Sequence, residues 1–456
     1  MPKDDHVKAG TPEVHTPGVS SSQGASSAPA TAGRAASQGP GWNGKSGPGV
    51  LSVGLIFVAV IVAAINLRAA IASLGPVLPD VLAHFGAGGS LAGVITALPG
   101  AMFAVMGLST VPLARRIGLS RTLLLGAVIT LIGTAARPWL PGVWVFIVLT
   151  GLVAAGIAIG NVLVPAFVKK YGGRHTVTLM TVYSALLGFS GAVGPLSALL
   201  FHGENRWQWT LFIWALFCGV QVAIWTVVAL RTGMDAPKAA DRQAQIASTG
   251  PAATTSMWRS RTAIFLMLFF GIQSMNAYTQ MGWLPQIFQE NGVSPMVASI
   301  ALAVVGSFHV LGGTVMPTVI DRAENFAIYP VIFGVLTAAG WAGILLAPTQ
   351  VPLLWAVLLG MGGWCFPTAI ALIPARTRVS LITARLSGFV QPYGYIIAAA
   401  GPLVIGMIHG ITHSWTAILL GLMALALVMG AIGVRASRKT VIDDELAGAA
   451  GAKAQR

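Results

Sequence analysis

The sequence predicts an all-α membrane protein of twelve transmembrane helices arranged as two six-helix bundles, and three observations carry that prediction. The 456-residue chain is 55% hydrophobic with only 9% charged residues and a mean hydropathy of +0.77, where soluble domains carry roughly 25% charged residues. Apolar segments long enough to cross a bilayer, which takes about 20 residues, recur twelve times. The chain also repeats itself at an offset of about 206 residues: Leu78-Pro79 returns as Leu284-Pro285, Gly86 as Gly292, Arg115-Arg116 as Asp321-Arg322, and Gly194-Pro195 as Gly401-Pro402. An even number of helices per repeat makes the halves run parallel, related by an axis along the membrane normal.

Residues 1–50 are rich in Gly, Ser, Ala, Pro and Thr and lack apolar periodicity, which reads as a disordered cytoplasmic tail without the apolar core of a signal peptide. The N-terminal bundle, 51–231, holds apolar segments at 51–82, 90–112, 121–140, 143–168, 176–201 and 209–231. Residues 232–261 form the longest polar interruption and are assigned as a cytoplasmic linker. The C-terminal bundle, 262–435, holds segments at 262–288, 295–320, 326–347, 351–374, 383–408 and 413–435, and 436–456 is a second cytoplasmic tail. Pro and Gly within these segments are ordinary for membrane helices.

Orientation follows from the basic residues. With the tail inside, 24 of the 27 Lys and Arg fall on one side, Arg206 alone lies in an outer loop, and Arg68 and Arg137 lie within or at the edge of spans. The positive-inside rule then places both termini in the cytoplasm of a plasma (inner) membrane protein. Trp139, Trp144, Trp207, Trp209, Trp355 and Trp415 cluster at the outer ends as an interfacial belt. The net charge of +14 thus reports topology, and no nucleic-acid partner is expected. Cys218 and Cys365 lie in different apolar segments, so they read as small buried hydrophobes with no disulfide or metal site. No Gly-x-x-x-x-Gly-Lys loop occurs, and no cofactor is expected.

One stretch stands out, Asn66-Leu67-Arg68-Ala69-Ala70-Ile71-Ala72-Ser73-Leu74-Gly75-Pro76-Val77-Leu78-Pro79. It places Arg68 just past the middle of the first crossing, where an ionisable group is a functional hypothesis by default. All thirteen Asp and Glu fall in tails or loops, so no membrane carboxylate is left to pair it. A buried unpaired guanidinium costs several kcal/mol, and a watered cavity with an anionic or electron-rich ligand meets that cost. Arg137 lies about 24 Å along its helix from Arg121 by helical rise, which reads as an interfacial anchor.

Six plus six parallel helices with both ends inside and a long central loop resemble the major facilitator superfamily. Its loop between the second and third helices carries a Gly, an acid, basic residues and a second Gly as a helix-end charge clasp. Here that loop has Arg115, Arg116, Gly118 and Arg121, with Arg115 where the acid is expected; the second copy keeps Asp321-Arg322. A narrower resemblance is to the cyanate and nitroimidazole permease family. It rests on Asn66-Leu67-Arg68 with Ser73 to Pro79, on Thr96-Ala97-Leu98-Pro99, on Gly156 to Pro165 leading into Lys169-Lys170, on Gly282-Trp283-Leu284-Pro285, and on Phe366-Pro367.

The resemblance implies a cavity lined by crossings 1, 4, 7 and 10, joined by 2, 5, 8 and 11. Beside Arg68 those segments offer Asn161, the amide row Gln273, Asn276 and Gln280, and the row Ser387, Gln391 and Tyr395 at four-residue spacing. The amides line the cavity or bond between helices. Trp283, Trp364 and Phe366 are placed to clamp a flat solute, or pack. His309 is the mid-depth histidine and the candidate proton carrier. The reading is a monomeric secondary transporter for a small anionic or planar solute, coupled to protons or a counter-anion. A multidrug efflux permease is the alternative. An intramembrane enzyme is more remote, because paired carboxylates or a nucleophile with its base are absent at depth.

Overall fold

Breaks and caps in the apolar runs set where each helix of the computed structural model begins and ends. It describes residues 51–235, 254–322 and 326–454. The tail 1–50, linker residues 236–253 and the side chain of Asp321 lie outside them. The N-terminal bundle comprises α1 (Val53–Ala72), α2 (Leu78–Phe85), α3 (Gly89–Ile117), α4 (Leu119–Ala136), α5 (Val143–Tyr171), α6 (Thr176–Leu196) and α7 (Arg206–Thr232). The C-terminal bundle comprises α8 (Arg261–Glu290), α9 (Pro295–Arg322), α10 (Ile328–Leu346), α11 (Pro352–Gly362), α12 (Cys365–Ala375), α13 (Ser380–Thr412) and α14 (Thr416–Ala436), and α15 (Ile442–Ala454) follows.

Two crossings are interrupted. The first breaks between α1 and α2 at Ser73-Leu74-Gly75-Pro76, and the tenth between α11 and α12 at Gly363-Trp364. Among the described residues, eleven helical spans are long and apolar enough to cross a membrane. The seventh crossing, α8, has the length at 30 residues but is diluted by Gln273, Asn276, Gln280, Gln286 and Gln289; it is shielded by α13, α14 and α9 packed around it. The internal repeat has a backbone counterpart: Gly86 and Gly292 both adopt left-handed φ, +59° and +87°, just past the ends of crossings one and seven. Only glycine holds that conformation without strain.

The bundles meet along two seams, α3 against α13 and α6 against α9, which the pseudo-twofold axis exchanges. Glycines let the backbones approach: on the first seam Gly89 faces Gly410, Gly93 faces Gly406 and Gly100 faces Ala399. At the tryptophan-rich end the two bundles share one apolar core, in which Leu78, Val81, Phe146 and Leu211 join Trp283, Leu284, Phe288 and Trp415. Two further clusters lie towards the basic end, one around Leu119, Leu163, Phe167 and Trp225, and one around Leu266, Phe269, Leu372 and Leu386 that Ala104 of α3 joins.

Each bundle is laced at its basic end by acids that follow its last crossing. The Asp235 carboxylate accepts the Ser120 N–H at 3.1 Å, the Ser120 hydroxyl at 2.8 Å and the Tyr171 hydroxyl at 3.0 Å, and Lys170 donates to its carbonyl oxygen at 2.7 Å. Asp235 thus caps the start of α4 where Arg115 left the loop without an acid, and Gly118, at φ +96°, gives it room. Arg115, Arg116, Arg121 and Arg322 are exposed. In the second half α15 does the lacing: Glu445 accepts from the Ser260 hydroxyl and from the Thr262 N–H at 3.2 Å, while Asp443 accepts the Arg378 and Val379 N–H groups at 3.1 and 3.2 Å. Carboxylates at the N-termini of α8 and α13 meet the positive ends of those helices. The part of the second tail from Ile442 to Ala454 is therefore a docked helix.

Asp235→Ala is expected to lower the unfolding free energy by about 2 kcal/mol, the usual cost of orphaning donors bonded to a buried charged group. Thermal unfolding in detergent checks this, and a midpoint equal to wild type would mean the cap contributes nothing.

Candidate functional site

Arg68 sits one turn before the end of α1 and makes no hydrogen bond or ion pair to any described residue. Its guanidinium carbon stands 5.8 Å from the centroid of the Phe366 ring. Phe366 continues into an aromatic wall: Phe270 at 5.5 Å, then Tyr395 at 5.1 Å from Phe270, then Phe103 at 5.0 Å from Tyr395, with Tyr278 6.2 Å from both Phe103 and Tyr395. Tyr183, Tyr278, Tyr395 and His309 all lie within electrostatic reach of Arg68. The Tyr183 hydroxyl points to Asn161 Oδ1 at 3.5 Å. These side chains come from α1, α3, α5, α6, α8, α9, α12 and α13, at least one from each of the eight crossings named above as cavity-lining and two, Phe270 and Tyr278, from α8.

The chemistry of this cluster is a cation over an aromatic face, ringed by hydroxyls and, among the described residues, without a carboxylate. A guanidinium over a π-face gains roughly 0.5–2 kcal/mol, which offsets part of its desolvation and leaves its fork of N–H donors free. Such a group matches planar or linear anions in a way a lysine does not.

His309 and Gln273 meet at the break in the tenth crossing. Gln273 donates to the Gly363 carbonyl at 3.3 Å, and the His309 ring lies against Gly363, where any side chain would overlap it. The His309 Nε2 is buried without a partner, as are both amide atoms of Gln280. Other sequence candidates have partners of their own. Asn276 accepts the Trp341 indole N–H at 3.2 Å and so faces α10. Trp283 belongs to the shared core, 5.6 Å from Trp415. The Trp364 indole donates to the Phe308 carbonyl at 2.8 Å and packs on Phe333, which ties the break in the tenth crossing to α9 and α10. Gln391 donates to Ser387 on its own helix at 2.7 Å.

Arg137 is a correction. It is 0% exposed and donates to the Ala70 carbonyl at 2.7 Å, so it is no interfacial anchor. It caps the end of α1 just before the break, and it stands at the end of α4 as well. Two helix C-termini carry roughly half a negative charge each, which together offset a guanidinium. Cys218 and Cys365 are both free and buried, and the Cys218 thiol contacts Asn66 Oδ1 at 3.5 Å.

Tyr183 and Tyr278 were not singled out from the sequence. A signal existed: the chain has 6 tyrosines, and these two lie deep within apolar crossings, where a phenol needs a reason.

Comparison with known proteins gives a consistent picture. Residues 56–402 match the sequence model of the Major Facilitator Superfamily. An uncharacterized transporter of Bacillus subtilis (strain 168), YycB, is 31% identical over 401 residues, covering 86% of this chain and 94% of the relative. A 2-nitroimidazole transporter of Escherichia coli (strain K12) is 28% identical, covering 85% and 95%. The cyanate transport protein CynX of the same strain is 25% identical, covering 79% and 91%. Among solved structures, a D-xylose-proton symporter superposes with a TM-score of 0.66 at 12% identity, over 86% of this chain and 99% of that one. At that identity the likeness concerns the fold alone.

Proposed function

Since the chain belongs to the Major Facilitator Superfamily, we propose that it is a secondary active transporter moving a small anionic or planar solute across the plasma membrane by alternating access. The observation that carries this is Arg68 over Phe366, without an ion-pair partner among the described residues, at the head of an aromatic wall. The relatives named for 2-nitroimidazole and cyanate transport support a cyanate-like or nitroimidazole-like solute, both compact and electron-rich. Arg68 and Tyr395 contact the solute in this reading, with Asn161 acting through Tyr183. Gln273 and Gln280 supply amides at the cavity wall.

In this reading the basic end faces the cytoplasm, by the distribution of Lys and Arg, and the protein is a monomer with both termini inside. The test is uptake of labelled cyanate and of labelled 2-nitroimidazole into liposomes holding the purified protein, with a bulky cationic dye as control. Saturable uptake of either small solute supports the reading; dye uptake alone overturns it in favour of the drug-efflux alternative that the aromatic wall would also suit.

His309 is the proposed proton carrier, on the ground that its ring nitrogen is buried, unpartnered and close to the solute site. His309→Gln is expected to remove the pH dependence of uptake while leaving exchange of internal for external solute. Uptake that still follows the pH gradient in the variant would assign coupling elsewhere or to a counter-anion.

A further inference from the structure

Ser190 of α6 is 1% exposed, and its hydroxyl is bonded to the first crossing on both sides of Arg68. It accepts the Ala69 N–H at 2.9 Å and donates to the Ile65 carbonyl. In an undistorted helix those two groups are each other's i→i−4 partners. A hydroxyl shared between them fixes, from a neighbouring helix, the turn that carries Arg68. The next residue, Gly191, supports the arginine stem: a Cβ there would stand 3.6 Å from Arg68 Cδ.

Gly191 is also the crossing point of the α6–α9 seam. A Cβ on Gly306 of α9 would lie 3.0 Å from both the Gly191 carbonyl carbon and its oxygen. Hence one residue of the N-terminal bundle leaves room for only one methyl group between itself and the Arg68 stem, and none between itself and Gly306 of the second bundle. Ser190 and Gly191 are chain neighbours, so the seam and the hydrogen bonds to the turn at Arg68 share one stretch of α6.

Resting on the transport reading for what Arg68 binds, we propose that Ser190 is a positioning residue for Arg68, and that Ser190-Gly191 carries movement at the α6–α9 seam to that guanidinium. Occupancy of the site and the angle between the bundles are then linked through one local contact. Linkage makes the effect reciprocal: whatever favours one seam geometry favours one solute affinity.

The test reads the place of residue 68 without a solute. In the full chain carrying Arg68→Cys, purified in detergent, the rate of modification by a methanethiosulfonate reagent is measured over the background of the two native, buried cysteines. Adding Ser190→Ala is expected to change that rate several-fold, and Ser190→Thr, which keeps the hydroxyl, to restore it. Adding Gly306→Ala, on the other bundle, is expected to change it as well, in protein that remains monodisperse. Equal rates in all four proteins, or no reaction in any, overturns the proposal. So does a Thr variant as altered as the Ala variant, which would reduce Ser190 to packing. Arg68→Gln uptake is measured separately: if uptake ignores that substitution while the modification rates differ, the positioning role stands and the transport reading falls.

Discussion

Arg68→Gln is expected to abolish saturable solute uptake, lowering apparent affinity by roughly 2–5 kcal/mol, the usual cost of truncating one partner of a desolvated charge contact. Glutamine keeps an amide donor but loses the charge and the bidentate fork. The variant should still fold, because Arg68 has no hydrogen-bond or ion-pair partner among the described residues and its removal orphans none. What is lost from the resting protein is the contact with Phe366, at roughly 0.5–2 kcal/mol. Arg68→Lys restores the charge without the planar fork, so it should recover part of the uptake of a linear anion and less for a planar one. Uptake and thermal unfolding measured together separate the two effects. If the midpoint of Arg68→Gln falls steeply while uptake per folded molecule is unchanged, Arg68 is a structural residue and the site must be sought elsewhere.

Most of the architecture is legible in the sequence because bilayer length and hydropathy act on whole segments. Even the repeat can be read from single residues, since Gly86 and Gly292 end equivalent crossings with the same left-handed turn. The site is legible only in part, because sequence gives depth along a helix but not which way a side chain faces. Arg137 shows this: helical rise set its depth, yet the direction towards Ala70 decides that it is a cap and not an anchor. Trp283 and Trp364 likewise sit on expected crossings but turn towards Trp415 and Phe308. Asp235 replaces the acid missing near Arg115 from 115 residues beyond Ser120 in the chain, a distance over which no local pattern reports. The tyrosines were missed for the opposite reason: a phenol is apolar enough to pass as ordinary span composition.

Gly406→Ala is expected to have the largest effect among the seam glycines, and the reason is what the new methyl group meets. A Cβ on Gly406 would lie 2.5 Å from Gly93 Cα, 2.6 Å from the Gly89 carbonyl oxygen and 2.6 Å from Gly93 N. All three are backbone atoms of α3, so no side-chain rotation relieves the overlap and the helices themselves must separate. The seam lies at the end where the two bundles share one core, so separation there opposes closure of that end and favours the opposite phase of the transport cycle. Gly421→Ala is the control: nothing lies within 4 Å of a Cβ at Gly421, and the substitution improves intrinsic helix propensity by up to about 1 kcal/mol. Spin labels at Glu204 and Gln350, exposed on the two bundles at that end, should report longer distances in Gly406→Ala and wild-type distances in Gly421→Ala. Uptake should fall sharply in the first and persist in the second. Unchanged distances with normal uptake in Gly406→Ala would mean that the α3–α13 contact holds the bundles together without taking part in the motion between them. The α6–α9 seam under Arg68 would then be left as the moving one.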